Sequence, residues 1–161
     1  MEKQVILLSW LNDAYLMEKA LIEILKQHSR EAGQNTEVKT KIARRLRRSQ
    51  LQARIIREQI YKLGGSVSYR GSTLTNHLQT IQNESACGVE DVVVRNAITE
   101  YVTHGYEIDS YRALAFAARA FGENEVAQAC ENIAKEEERA ADRLEFTLPA
   151  AIEKFVLGLA G

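Results

Sequence analysis

The sequence predicts an all-α fold, a four-helix bundle with one long crossover between the second and third helices and a short C-terminal helix. Three observations predict it. A single proline in 161 residues and 7% aromatics leave the strong helix formers Ala, Leu, Glu, Arg and Lys to dominate. Four long stretches carry apolar residues at alternating steps of three and four. Two of the three connections between them are short, and the third is long.

The first stretch covers about residues 3–31 and stops at Gly33, with a stripe of Leu7, Leu11, Ala14, Leu21 and Leu25. The second covers about 36–63, with Ile42, Leu46, Ser49, Ala53, Ile56, Ile60 and Leu63 on one face, and Gly64-Gly65 as its stop signal. The third covers about 89–121 and stops at Gly122; the fourth covers about 124–147. Pro149 then opens a short final helix over about 149–159, since proline is tolerated in a first turn. The links "AGQNT" and "GEN" are short enough to make antiparallel neighbours. The segment 64–88 is not short. A helix of about 25 residues is roughly 37 Å long, and this segment can run that length, with room for a short helix at about 74–84. One long connection among short ones matches the one-crossover bundles of the ferritin-like class.

Length and composition point to a single domain over residues 1–161. With 21 basic and 22 acidic residues the chain is near neutral, which argues against nucleic acid as a partner. Cys87 and Cys130 make no disulfide framework and fit a reducing compartment. The opening "MEKQVILLSW" reads as a helix start and not as a signal peptide, and no segment has the length of a membrane span. The expectation is a cytoplasmic protein with neither membrane nor nucleic acid as partner.

The stripes carry charge where a core belongs. The first stripe, continued without a break, passes through Glu18. The third helix gives Val93, Ala97, Glu100, His104, Glu107, Tyr111, Leu114, Ala118 and Phe121 on one seam, apolar at both ends and polar in the middle. The fourth gives Val126, Cys130, Ile133, Glu137, Ala140 and Leu144. Three helices thus place a carboxylate at mid-height of the apolar face. A buried ionised carboxylate costs several kcal/mol unless it is paired, protonated or bound to a cation. Bundle cores use carboxylates and histidine to hold hard divalent ions. A lone glutamate on a stripe usually reaches solvent at the edge of the face, because a stripe drifts about 20° per heptad. Three at matching heights are harder to place there. Glu100, one turn from the group, reads as bland; Tyr15, Tyr101, Tyr106 and Tyr111 read as packing residues. Gly105, in mid-helix, asks for a packing reason, either a close neighbour or room beside a polar site.

The second helix breaks the pattern. It reads "ARRLRRSQLQ" at the height where a fourth carboxylate is wanted. An inward Arg48, with Arg45 beside it, is a covalently attached cation that satisfies carboxylates and repels a metal ion. Lys39, Arg44 and Arg47 read as a solvated face. The basic cluster lacks the interleaved aromatics of a nucleic-acid binder.

Four segments carry a family resemblance: "WLNDAYLMEKAL", "YEIDSY", "KEEERAAD" and the ending "LPAAIEKFV". In that order and spacing the chain resembles the bacterial YciE/YciF family of ferritin-like proteins, and YciE-type members most. The resemblance implies a ferritin-like bundle, pairing as dimers, a link to stress responses, and a carboxylate-rich di-metal centre of poorly defined activity. It implies that Glu18, Glu107 and Glu137 match ligands of the first, third and fourth helices. His104 stands where relatives have Glu, Arg48 where they have the second-helix Glu, and Arg45 where His is frequent.

Two functions follow. The favoured one is a metal-free, or at most single-metal, bundle in which Arg48, with Arg45, pairs with Glu18, Glu107 and Glu137, in a structural or interactive role as a homodimer. The alternative is an iron or manganese protein of redox or metal-handling activity using Glu18, His104, Glu107 and Glu137. No nucleophile–base pair, phosphate loop or cofactor fingerprint names a reaction.

Overall fold

The computed structural model describes residues 2–69, 76, 80 and 92–159. Four long helices carry the fold: α1 (Glu2–Glu31), α2 (Thr36–Lys62), α3 (Val92–Ala120) and α4 (Asn124–Leu159). Among the described residues each buries the middle of the stripe that the sequence sets out. Leu7, Leu11, Ala14 and Leu21 of α1 meet Ala53, Ile56 and Ile60 of α2, Tyr111, Leu114 and Ala118 of α3, and Val126, Cys130 and Ile133 of α4, while Leu25 packs in a second cluster with Ala32 and Ile42. Local chemistry sets the boundaries. The Asn35 side chain accepts from the Val38 amide at 3.1 Å and caps α2. Gly64 and Gly122, at φ 76° and 86°, turn the chain out of α2 and α3 in the left-handed region that glycine enters without steric cost.

One boundary differs from the expectation. The segment 149–159 is helical, but it continues α4 and does not begin a new helix, for Pro149 lies inside Asn124–Leu159. Proline removes one i→i−4 hydrogen bond. A single missing bond is tolerated where the preceding turns are already held by packing against α3.

Contacts along the helices fix their directions. Gln4 of α1 donates to the Leu63 carbonyl at the far end of α2, at 2.7 Å. Glu31 and Glu18 of α1 meet Asn96 and Tyr111 of α3 in reverse order, so α1 and α3 are antiparallel. Arg48 and Lys62 of α2 meet Glu137 and Glu125 of α4 likewise. The helices α2 and α3 therefore run parallel, and the chain between them must return the length of the bundle. This is the long crossover read from the sequence. Its first residues are pinned to α1. Asn12 donates to the Ser68 carbonyl at 3.0 Å and accepts from its amide at 2.8 Å, while Tyr69 meets Tyr15 edge-on at 6.5 Å. Asn76 and Thr80 are helical, and the Thr80 hydroxyl donates to the Asn76 carbonyl at 3.0 Å. The rest of the expected helix at 74–84, and Cys87, lie outside the described residues. No helix among the described residues is long and apolar enough to cross a membrane.

Gly105 has no packing reason of the kind expected. It is exposed, and a Cβ built on it meets no heavy atom within 4 Å. Replacing Gly105 by alanine is expected to stabilise the protein by about 0.5–1 kcal/mol, read as a higher midpoint in urea with unchanged slope.

Candidate functional site

Halfway along the bundle the apolar core gives way to a layer of charge. Glu18, Glu107 and Glu137 are all buried there, together with His104. Each arrives because it occupies the next three-or-four-residue step on an otherwise apolar stripe, so the packing that buries its neighbours buries it too. His104, Glu107 and Glu137 come together, each offering a ligand atom within 4.8 Å of the others. The Nδ1 of His104 lies 2.5 Å from Glu137 Oε2 and 3.9 Å from Glu107 Oε2. Glu18 takes a different partner: its Oε1 accepts from the Tyr111 hydroxyl at 2.6 Å, and its Oε2 is buried without a donor.

Both arginines enter the layer, with their roles exchanged relative to the expectation. Arg48, which the sequence pairs together with Arg45 to Glu18, Glu107 and Glu137, reaches neither Glu18 nor Glu107. It is 18% exposed and holds only Glu137, through Nε at 2.8 Å. Arg45 is the buried one. Its Nη2 donates to Glu107 Oε2 at 3.0 Å and to the Thr103 hydroxyl at 2.9 Å, and its Nη1 lies 3.5 Å from Glu100 Oε2. Glu100 is thus no bland surface residue; its other oxygen faces the buried His28 Nδ1 at 3.2 Å. The Arg45 guanidinium thereby links two carboxylates of α3 that lie two helical turns apart. Gln52 completes the layer by donating to Glu137 Oε1 at 2.9 Å. Sequence reasoning missed His28, Gln52 and the hydroxyl of Tyr111. His28 had a signal, being three residues beyond Leu25 on the first stripe.

The electrostatics follow from who is paired. Burial pushes the Glu18 carboxyl up to about 8, so it keeps its proton at neutral pH and can donate as well as accept. Burial, and then the charge of Glu137, push Glu107 well above the usual carboxylate range. Burial also works to raise Glu137, but the hydrogen bond from His104 and the charges of His104, Arg48 and Arg45 outweigh it and hold the group at about 2. Burial, followed by the charge of Arg45, brings His104 down to about 4. At neutral pH a neutral imidazole therefore donates from Nδ1 to an ionised Glu137. Two fixed guanidinium charges then balance the ionised Glu100 and Glu137, while burial favours the protonated forms of Glu18 and Glu107.

This gives a signed pH dependence. A carboxyl whose folded pKa is raised contributes stability that is present below its unfolded value and lost as pH climbs towards about 8. Replacing Glu18 by glutamine keeps an acceptor for Tyr111 and removes the ionisation. Between pH 5 and 8.5 the wild type is expected to lose stability relative to Glu18→Gln by up to about 1.4 kcal/mol per pH unit. Urea titrations at the two pH values measure this; equal differences at both would show that Glu18 is ionised throughout.

Arrangement and relatives agree on a lineage. The family described as "Domain of unknown function (DUF892)" matches residues 2–157. The chain belongs to the DUF892 family. Solved structures share its fold over nearly the whole chain. A protein of Xanthomonas campestris pv. campestris is 27% identical, with a TM-score of 0.83 and 100% of both chains covered. The Escherichia coli stress protein YciF is 19% identical, with a TM-score of 0.78, covering 94% of this chain and 98% of that one. YcfI of Rhodopseudomonas palustris, described as a putative structural protein, is 20% identical at a TM-score of 0.77, covering 89% and 92%. This DUF892 chain is thus a YciE/YciF-like ferritin-type bundle.

The two-metal centre implied by such a bundle does not fit the residues of this DUF892 member. A carboxylate that bridges two ions must offer both oxygens. Glu107 has given one to Arg45 and Glu137 one to Arg48. Two guanidinium charges beside the ligands oppose further positive charge. What converges is His104, one free oxygen of Glu107 and one oxygen of Glu137, a set for one ion, with Glu18 held by Tyr111 and outside that group.

Proposed function

We propose that this protein is a ferritin-like bundle in which arginine and protons take the place of the metal pair, and that its role is structural or interactive and not catalytic. The observation that carries the reading is the direct seat of Arg45 on Glu107 and of Arg48 on Glu137, at 3.0 and 2.8 Å. A stress-associated task in the cytoplasm, with the chain acting as a homodimer, is the setting that suits it; stress is the word attached to YciF. The test is elemental. Protein produced with added iron and manganese is expected to carry well under one metal per chain, and two per chain would overturn the proposal. One observation favours a second reading, a single divalent ion held by the His104, Glu107 and Glu137 trio, whose ligand atoms lie within 4.8 Å of one another. One metal per chain, lost in His104→Ala, would establish that reading.

A further inference from the structure

The outer face of the α1–α2 pair carries a second polar feature, separate from the core layer. A pocket of about 210 Å³ opens between the two helices. Tyr15, Lys19 and Ile22 come from α1, and Gln50, Ala53, Arg54 and Arg57 from α2. The residues step by four and three along each helix, so both rows face one groove. Among the described residues the lining holds three cations and no carboxylate. Its floor is rigid, because Tyr15, Ile22 and Ala53 belong to the buried core.

Elsewhere the described surface is mixed: Lys39, Lys135, Arg139 and Arg143 are exposed and belong to none of the ion pairs, while other cations are paired. Lys26, Lys41, Lys62, Arg112 and Arg119 each hold a carboxylate. The carboxylate nearest the rim on α1, Glu23, is taken by Lys26 at 2.7 Å. Among the described residues, Lys19, Arg54 and Arg57 belong to none of the ion pairs. Arg44 and Arg47 of the same helix are also exposed and outside those pairs, but they line no pocket. What sets the trio apart is convergence on one concave, acid-free space.

We propose that this pocket binds the phosphate group of a small soluble phosphate ester, with Lys19, Arg54 and Arg57 neutralising it and the Gln50 amide supplying a neutral donor. The donor inventory suits an anion with several acceptor oxygens. Lysine offers three N–H donors and each arginine a planar fork of five, the geometry that takes phosphate oxygens two at a time. Size limits the guest. Pockets for drug-sized ligands run from about 300 to 1,000 Å³; this one is smaller, and accommodates a phosphate with a short tail. The site is independent of the core layer, and it stands whether or not that layer holds a metal.

Titration calorimetry of the full chain with glycerol 3-phosphate at low ionic strength tests the proposal. Saturable one-site binding is expected, weakening as salt is added. The exposed double variant Arg54→Gln/Arg57→Gln should weaken it at least about tenfold. The charge-matched control Arg44→Gln/Arg47→Gln should change it by less than about twofold, the effect of distant, screened charge. Both pairs are exposed, and unchanged melting temperatures confirm that the fold is intact. No heat of binding, or equal weakening by both pairs, would overturn the site. A parallel arm uses vesicles of phosphatidylcholine containing phosphatidic acid. Capture by those vesicles without binding of the soluble ester would also overturn it, since the phosphate would then be read on a lipid surface.

Discussion

Replacing Arg45 by alanine is expected to destabilise the protein by about 3–5 kcal/mol, the cost of leaving a buried charge without its partner. Arg45 is 5% exposed and serves three groups at once, Glu107, Glu100 and Thr103. Its loss strands the Glu107 carboxyl, leaves Glu100 with His28, and opens a cavity the size of its side chain. In a chain of this length the melting temperature should fall by about 10 °C. Arg48→Ala should cost markedly less. Arg48 is 18% exposed, water can replace it, and Glu137 retains both His104 and Gln52. The measurement is a pair of urea unfolding curves. Equal losses for the two variants would mean that depth in the core does not govern the energetics of this layer.

The second large effect is a gain. The double substitution Arg48→Glu with Arg45→His removes two fixed positive charges and adds a carboxylate and an imidazole. It frees oxygens on Glu107 and Glu137 while keeping His104 in place. Metal content after growth with iron and manganese is expected to rise from well under one to one or two ions per chain. Melting temperature should then depend on metal, because an ion bound only by the folded chain stabilises it by mass action. A variant that folds and still takes up no metal would show that the shape of the site excludes the ion independently of the arginines.

Much of this layer was legible in the sequence. Glu18, His104, Glu107 and Glu137 each fall on a three-or-four step between residues that are plainly core, and all four are buried. The crossover was legible too, because two short links and one long one leave few ways to pack four rods. Side-chain reach was not legible. Arg45 and Arg48 flank the seam three residues apart, and drift of the seam by about 20° per heptad decides which of them goes deep. Glu100 lies a turn from the group along α3, and only the length of the Arg45 side chain, which no residue spacing encodes, joins it to the layer. Tyr111 shows a further limit. A tyrosine on an apolar stripe looks the same whether its hydroxyl meets water or, as here, a buried carboxyl at 2.6 Å. Gly105 failed in the other direction: a costly residue type suggested a purpose that its open surroundings do not supply.

The uneven division of buried charge between the two antiparallel helix pairs has a consequence for assembly. The N-terminal pair contributes both arginines, with Glu18 protonated; the C-terminal pair contributes the ionised Glu100 and Glu137, with Glu107 protonated. Neither half is electrically self-sufficient, and each presents to the other the opposite sign across a dry face. Severed halves should therefore be unstable as solitary fragments yet complement one another when mixed, with attraction guiding the encounter and desolvation deferred until the two faces close.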